Sequence, residues 1–138
     1  MMGILANGEW HADPIAHDFA ATLEYDSIQN WLTPDGSPGP TGEGGFQAEI
    51  DRYHLYVSSA CPFAHRTLIY RSLKGLDAFI SVSSVNPKRY PDGWEFSEGF
   101  TDPLNGFKFL REAFVAAKSD YTGRVTVPVL WDKHRRTM

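Results

Sequence analysis

The sequence predicts an α/β domain built on a βαβ unit, and three observations carry that prediction. Tyr53–Val57 reads as a strand, and a tight loop then leads into a helical stretch that ends at Lys74. Phe79–Val85 is rich in Phe, Ile and Val, which suit a pleated, half-buried surface. Strand, helix and strand thus fall within about 35 residues, so the two strands are expected to be parallel. A second helical pattern over Leu104–Lys118 precedes a further β-rich run, Val125–Trp131.

Taken in order, residues 1–32 carry scattered apolar side chains (Trp10, Phe19, Tyr25, Ile28, Trp31) that hold neither a helical nor a strand period. An irregular arm is expected, with one short helical turn near Phe19–Leu23. Thr33–Gly45 is dominated by Gly and Pro and reads as an exposed linker, so residues 1–45 form an arm and linker ahead of a domain at 46–138. The alternative is a loop folded over the site or over a partner subunit. In Tyr53–Val57, Tyr53, Leu55 and Val57 share one face and His54 and Tyr56 the other. Bulky groups on both faces imply an inner strand covered on both sides. The helix from Pro62 to Lys74 groups Ala64, Leu68, Ile69 and Leu73 on one side, and Gly75 is placed to stop it. Asn86–Pro103 is a long loop carrying Trp94, an aromatic in polar, exposed-looking company. Phe107, Leu110, Phe114 and Ala117 give the next helix its apolar stripe. Pro128 lies inside the last strand pattern and can donate no ladder hydrogen bond, which marks an edge, a bulge or a cis proline.

The 138 residues suffice for one domain with a core. A net charge of −4 leaves no basic excess to neutralise phosphates and argues against a nucleic-acid partner. The basic clusters Lys88–Arg89 and Lys133–Arg136 read as solvated surface. No apolar run nears the roughly 20 residues of a membrane helix. Met1–Trp10 lacks the charged-then-apolar pattern of a signal peptide, and a cytoplasmic location is expected. The single cysteine rules out an intrachain disulfide, which fits a reducing compartment. His54 and His65 have no ligand-spaced neighbours, and no metal or bound cofactor is expected.

That cysteine, Cys61, stands where the helix begins, and Pro62 follows it. The free N–H groups and partial positive charge of a helix N-terminus favour a thiolate. Pro62 suits the first helical position, where a missing N–H has no consequence. His65 and Arg66, on the first turn, add positive potential. The alternative for Cys61 is a buried structural thiol, although such a thiol has no need of a proline at a strand–helix corner. In a dithiol site a second cysteine would stand at the position of Ala64, so any exchange chemistry here is monothiol, with an external thiol as resolving partner. The order strand, helix with Cys at its start, strand, helix, strand with Val-Pro is that of a thioredoxin-like domain. In that fold Cys61 and Val127-Pro128 meet in space. The fold resemblance implies a cis peptide at Pro128, and Val127 would then present its backbone to an extended peptide such as glutathione.

Tyr53-His-Leu-Tyr-Val-Ser, Cys61-Pro-Phe-Ala-His-Arg-Thr-Leu-Ile, Leu73-Lys-Gly-Leu, Gly93-Trp-Glu-Phe and Tyr121-Thr-Gly-Arg-Val-Thr-Val-Pro-Val-Leu-Trp-Asp-Lys133 closely resemble the glutathionyl-hydroquinone reductases, the xi-class, omega-like glutathione transferases. Asn30–Gly36 and Gly45–Glu49 extend the resemblance to roughly residues 28–133. It implies a glutathione transferase N-terminal domain with Cys61 as nucleophile and glutathione as co-substrate rather than a bound cofactor. Trp94 would pack against glutathione. Arg124, Val125, Thr126 and Val127 would line the tripeptide, Arg124 offering its charge to a carboxylate. Pro62, Phe63 and Pro128 would support the site, with Phe63 standing where the family commonly has Trp. Alternatives are a core-covering aromatic for Trp94 and a surface ion pair for Arg124.

Family members continue past Asp132-Lys133 with a further strand, a helix and a mostly helical second domain. The chain is therefore expected to be an N-terminal fragment with an open edge on its last strand. The resemblance implies reduction of glutathionyl-hydroquinones in the whole protein, homodimerisation of full-length members, and weak or absent turnover by the fragment. The rivals are a small monothiol glutaredoxin-like thioltransferase and a non-catalytic binding or regulatory module.

Overall fold

The computed structural model describes residues 3–12, 22–42, 44–88 and 91–138. Its centre is β5 (Tyr53–Val57), every residue of which is buried. Two neighbours cover its edges: β6 (Ile80–Ser84) pairs parallel to it, Tyr53 opposite Ile80 through Val57 opposite Ser84, and β8 (Val129–Asp132) pairs antiparallel, Tyr53 opposite Asp132 through Tyr56 opposite Val129. The sheet order β6-β5-β8 makes β5 the inner strand expected from its two bulky faces, and β8 lies at an edge among the described residues.

Parallel pairing of β5 with β6 needs a crossover, and α1 (Pro62–Leu73) supplies it. Cys61 is its N-cap and Pro62 its first residue. At the other end Gly75, with φ of 65°, donates to Ser72 O and Leu76 donates to Arg71 O, so a left-handed glycine closes the helix through paired carbonyl bonds. The helix does not bury the stripe expected of it. Ala64 is buried and Thr67, Leu68 and Arg71 are half-buried, whereas Ile69 and Leu73 are exposed. At about 3.6 residues per turn, Leu73 falls about two and a half turns after Ala64, on the opposite face.

The second helix is shorter than its pattern. α2 spans Arg111–Ala117, and residues 104–110 lead into it as loop. Phe96 N–H donates to Lys108 O, Leu110 N–H to Trp94 O, and Glu95 bridges Phe109, so extended pairing takes the backbone groups a helix would need. Buried Asp102 accepts the amides of Leu104 and Phe107 and the Tyr56 hydroxyl, and Asn105 donates in turn to that hydroxyl. Phe114 and Leu110 still reach the core, together with Leu5, Tyr56, Val85 and Trp131.

The arm is not irregular throughout. β1 (Ile4–Ala6) and β2 (Glu9–His11) form a hairpin, and β1 also pairs antiparallel with β7 (Gly123–Arg124). The loop is Asn7-Gly8, both with positive φ (49° and 80°), the conformation a two-residue hairpin turn requires. The described part of the Gly/Pro segment is mostly exposed, but its ends are tied: β3 (Trp31–Thr33) pairs parallel with β4 (Gly45–Gln47). Of the expected turn at Phe19–Leu23, residues 19–21 lie outside the described residues.

Pro128 precedes the last strand rather than interrupting it. The Val127–Pro128 peptide is cis, and pairing with β5 begins at Val129, the first residue after the proline that can donate. At the far end of β8, Asp132 joins Arg52 at the start of β5, with Nε at 3.0 Å and a terminal guanidinium nitrogen at 2.5 Å from one carboxylate oxygen. Burial alone would raise the Asp132 carboxyl. Arg52 and the amides of Arg135 and His134 outweigh it and hold that carboxyl below the ordinary range.

Candidate active site

The end of β5 turns sharply into α1. Ser58, fully buried, accepts the Cys61 amide on its carbonyl at 3.1 Å and the Ala60 amide on its hydroxyl at 3.3 Å. This tight turn leaves Cys61 half-buried at the first turn of the helix. Its side chain makes no capping bond to the helix; Sγ instead points at Val127, whose carbonyl oxygen accepts the thiol at 3.5 Å. Residues 66 positions apart are therefore brought together, and neither the cap nor a disulfide engages the sulfur.

Cys61 opens into a cavity of about 460 Å3 lined by Ala60, Cys61, Pro62, Phe63, Trp94, Thr126 and Val127. Six of the positions singled out from sequence are thus gathered in one place. Trp94 proves buried, at 5% exposure, although its polar surroundings suggested an exposed ring. The carbonyl of Trp94 is fixed by Leu110 N–H at 2.9 Å, so the pairing that shortens α2 also places the wall of the cavity. Phe63 stands at the mouth, 62% exposed, with the Arg66 guanidinium 5.7 Å from its ring centre.

Three positions fall elsewhere. Val125 is buried in the core cluster. Arg124 is exposed on β7 and does not line the cavity; its carbonyl accepts the Tyr121 hydroxyl. Pro128 lines a different groove of about 740 Å3, which passes along Trp31, Phe46, Tyr53 and Phe114 and contains no thiol. Ala60 and Ser58 were missed in the sequence. The Ser-Ser-Ala run between strand and Cys61 was the available signal, since Ser at a strand–helix corner offers the local side-chain bonds seen here.

Two buried polar groups of β5, His54 and Tyr56, bond to partners other than the thiol. His54 Nδ1 bonds Ser81 Oγ at 2.7 Å, its Nε2 has no hydrogen-bond partner among the described residues, and burial lowers its proton affinity. Burial also pushes the Tyr56 hydroxyl well above its usual range. Among the described residues no group of three or more His, Cys, Asp or Glu could hold a metal ion, and no helix is long and apolar enough to cross a membrane.

A βαβ unit with a helix-start cysteine, closed by an antiparallel strand that follows a cis proline, is a thioredoxin-like domain with a monothiol corner. The chain belongs to the glutathione S-transferase family: residues 60–138 match Glutathione S-transferase, N-terminal domain. It is 52% identical to glutathionyl-hydroquinone reductase YqjG of Escherichia coli, over 99% of this chain and 44% of that protein. The glutathione-bound structure of YqjG superposes with a TM-score of 0.83 at 52% identity, covering 98% of this chain and 40% of that one. A Xi-class transferase from Natrialba magadii gives a TM-score of 0.80 at 44% identity, again over 98% of this chain and 40% of that one. The resemblance carried by the Cys-Pro and Val-Pro strings is borne out. The chain spans less than half the length of these relatives.

Proposed function

We propose that this chain is the glutathione-binding part of a glutathionyl-hydroquinone reductase of the xi type. One observation carries the reading: the only thiol sits at a helix start, turned toward the Val127 backbone, and opens into a cavity walled by Trp94. The γ-glutamyl-cysteinyl-glycine chain of glutathione is extended and would lie along Thr126 and Val127, its sulfur at Cys61 and Trp94 against one side. Phe63 flanks the mouth where an aromatic leaving group would depart. Arg124 would serve as a longer-range charge for a carboxylate, Val125 as packing beneath the strand, and Pro62 and Pro128 as the shape of the two turns.

In the reaction, the Cys61 thiolate attacks the sulfur of a glutathionyl-hydroquinone. A sulfur–sulfur bond forms, the sulfur–carbon bond breaks, and its electron pair passes to the ring carbon, which takes a proton as the hydroquinone leaves. A second glutathione thiolate then attacks the mixed disulfide, forming glutathione disulfide and freeing Cys61. The adduct's thioether sulfur and one incoming thiol end as a disulfide while the ring carbon–sulfur bond becomes a carbon–hydrogen bond, so two electrons leave the sulfurs and two reach the ring without a further cofactor. Ala64 in place of a second cysteine supports this intermolecular second step.

The reading takes residues 1–45 as a segment ahead of the thioredoxin-like unit at 46–138. It places the protein in the cytoplasm, with no nucleic-acid or membrane partner, and assigns the whole protein a helical second domain and a homodimeric state. The test is release of hydroquinone and glutathione disulfide from a glutathionyl-hydroquinone. The longer protein turns over and loses all turnover with Cys61→Ser, and this chain alone shows little. Rapid turnover by this chain, or activity surviving Cys61→Ser, contradicts the reading.

A further inference from the structure

The β1–β2 hairpin touches the segments that lead into two walls of the Cys61 cavity. One contact is to the strand wall. β1 pairs with β7 through Ile4–Arg124 and Leu5–Gly123, two residues before Thr126 and Val127 enter the cavity. Asn7 N–H donates to Thr122 Oγ1 at 2.9 Å and Gly8 N–H to Tyr121 O at 3.0 Å, which fastens the hairpin loop to the same stretch. The other contact is to the Trp94 wall. Trp10 on β2 packs against Gly93 so closely that a Cβ there would lie 3.0 Å from the indole, and Gly93 has a φ of 87°, which favours glycine. The Arg111 guanidinium lies 5.1 Å from the Trp10 ring centre and 3.8 Å from that of Phe109, and it donates to the Asp92 carbonyl. Residues 92 and 93 are thereby held immediately before Trp94.

We propose that the hairpin is a clamp that sets the width of the candidate glutathione cleft, with Trp10 and Arg111 as positioning residues that act through Gly93–Trp94 and do not touch the ligand. The inference rests on the proposed function for its ligand and on the contacts above for its geometry. A planar guanidinium between two aromatic rings is rigid in a way a lysine cannot reproduce. The clamp should therefore affect binding of glutathione more than the reactivity of the sulfur.

The experiment uses Trp10→Ala, Trp10→Phe, Arg111→Ala and Arg111→Lys in this chain. The rate of Cys61 S-glutathionylation is followed against glutathione disulfide concentration, and Cys61 alkylation by iodoacetamide reads the thiol alone. The expected result is a rise of roughly three- to ten-fold in the half-saturating concentration for both alanine variants. The maximal rate and the alkylation rate change less than about two-fold, Trp10→Phe recovers most of the loss, and Arg111→Lys recovers little. Peptide-level hydrogen exchange gives a reading independent of glutathione. Residues 92–96 and 123–127 exchange faster in the alanine variants, and Ile80–Ser84 does not. Faster exchange confined to residues 3–12, or spread equally to Ile80–Ser84, overturns the clamp, as does an unchanged half-saturation. If the unmodified chain takes no glutathione, the proposed function fails and the exchange pattern alone decides the clamp. A fully unfolded alanine variant passes the decision to the Trp10→Phe and Arg111→Lys pair.

Discussion

Replacing Asp132 with alanine removes the carboxylate that ties the end of β8 to the start of β5. Asp132 is 1% exposed and accepts four hydrogen bonds: two from the Arg52 guanidinium and one each from the His134 and Arg135 amides. The two amides belong to exposed residues, so water can replace the lost acceptor there. Arg52 cannot be rehydrated in the same way, because its side chain is only 7% exposed. Leaving one charge of a buried pair unpaired costs about 3–5 kcal/mol. Glu49 still reaches Arg52 at 2.6 Å from a more open position, so the lower end, about 3 kcal/mol, is expected. Small domains have total stabilities of about 5–15 kcal/mol, so this is a large fraction. With a urea m-value of about 1–3 kcal/mol/M, the unfolding midpoint falls by at least about 1 M. The pH dependence gives the sign. The Asp132 carboxyl titrates below its ordinary value of 3.8 in the folded chain, so its stabilisation is present above that pH and is lost as the pH falls through the folded value. The stability gap between the two proteins should therefore close in acid. A loss under about 1 kcal/mol, the level of a surface pair, or a gap that stays constant into strong acid would refute this reasoning.

His54 gives a second pH signature. Burial lowers its proton affinity below the ordinary value of 6.5, so the folded chain disfavours the imidazolium. Stability present above pH 6.5 is lost as the pH falls through the folded value, and His54→Gln should remove that component from the part of a urea-midpoint-versus-pH profile that lies below the ordinary value of 6.5. Tyr56→Phe leaves Asn105 and buried Asp102 each short of a partner, which should cost about 1–3 kcal/mol by denaturant titration with no loss of Cys61 alkylation. Cys61→Ser removes only the thiol contact to the Val127 carbonyl, so its unfolding midpoint should shift by less than the equivalent of about 1 kcal/mol.

The reactive corner was legible because its signals are local. A strand rich in bulky residues, Cys61-Pro62, and Gly75 each state their backbone role within a few residues, and the structure realises all three. The hairpin was equally local, since Asn7-Gly8 between Ile-Leu-Ala and Glu-Trp-His is a two-residue turn signal. Its strands are only three residues each, too short to establish a period. Elsewhere the differences have two kinds of cause, competition from distant segments and a local phase that was not followed. The stripe over Phe107–Ala117 has helical spacing, but residues 108–110 are taken by pairing with 94–96, a competition that no window along the sequence contains. Trp94 was read as exposed because its neighbours are polar, whereas it is buried in a core cluster and beside Cys61, with partners that lie far from it in sequence. Ile69 and Leu73 were assigned to the buried side of α1 by hydrophobicity, although their helical phase puts them on the face away from Ala64. Arg124 and Val125 were attached to the site by the resemblance. Burial alternates along residues 123–127, and it takes Val125 to the core and leaves Arg124 exposed.

The central claim is that Cys61 is a monothiol presented to glutathione by the Val127 backbone. Intact mass after incubation with glutathione disulfide at neutral pH tests it most directly. The account predicts a gain of one glutathionyl group on the unmodified chain, reversed by added glutathione and absent from Cys61→Ser. An unmodified mass under conditions where iodoacetamide alkylates Cys61 would contradict it, because the thiol would then be reachable and yet have no site for the tripeptide.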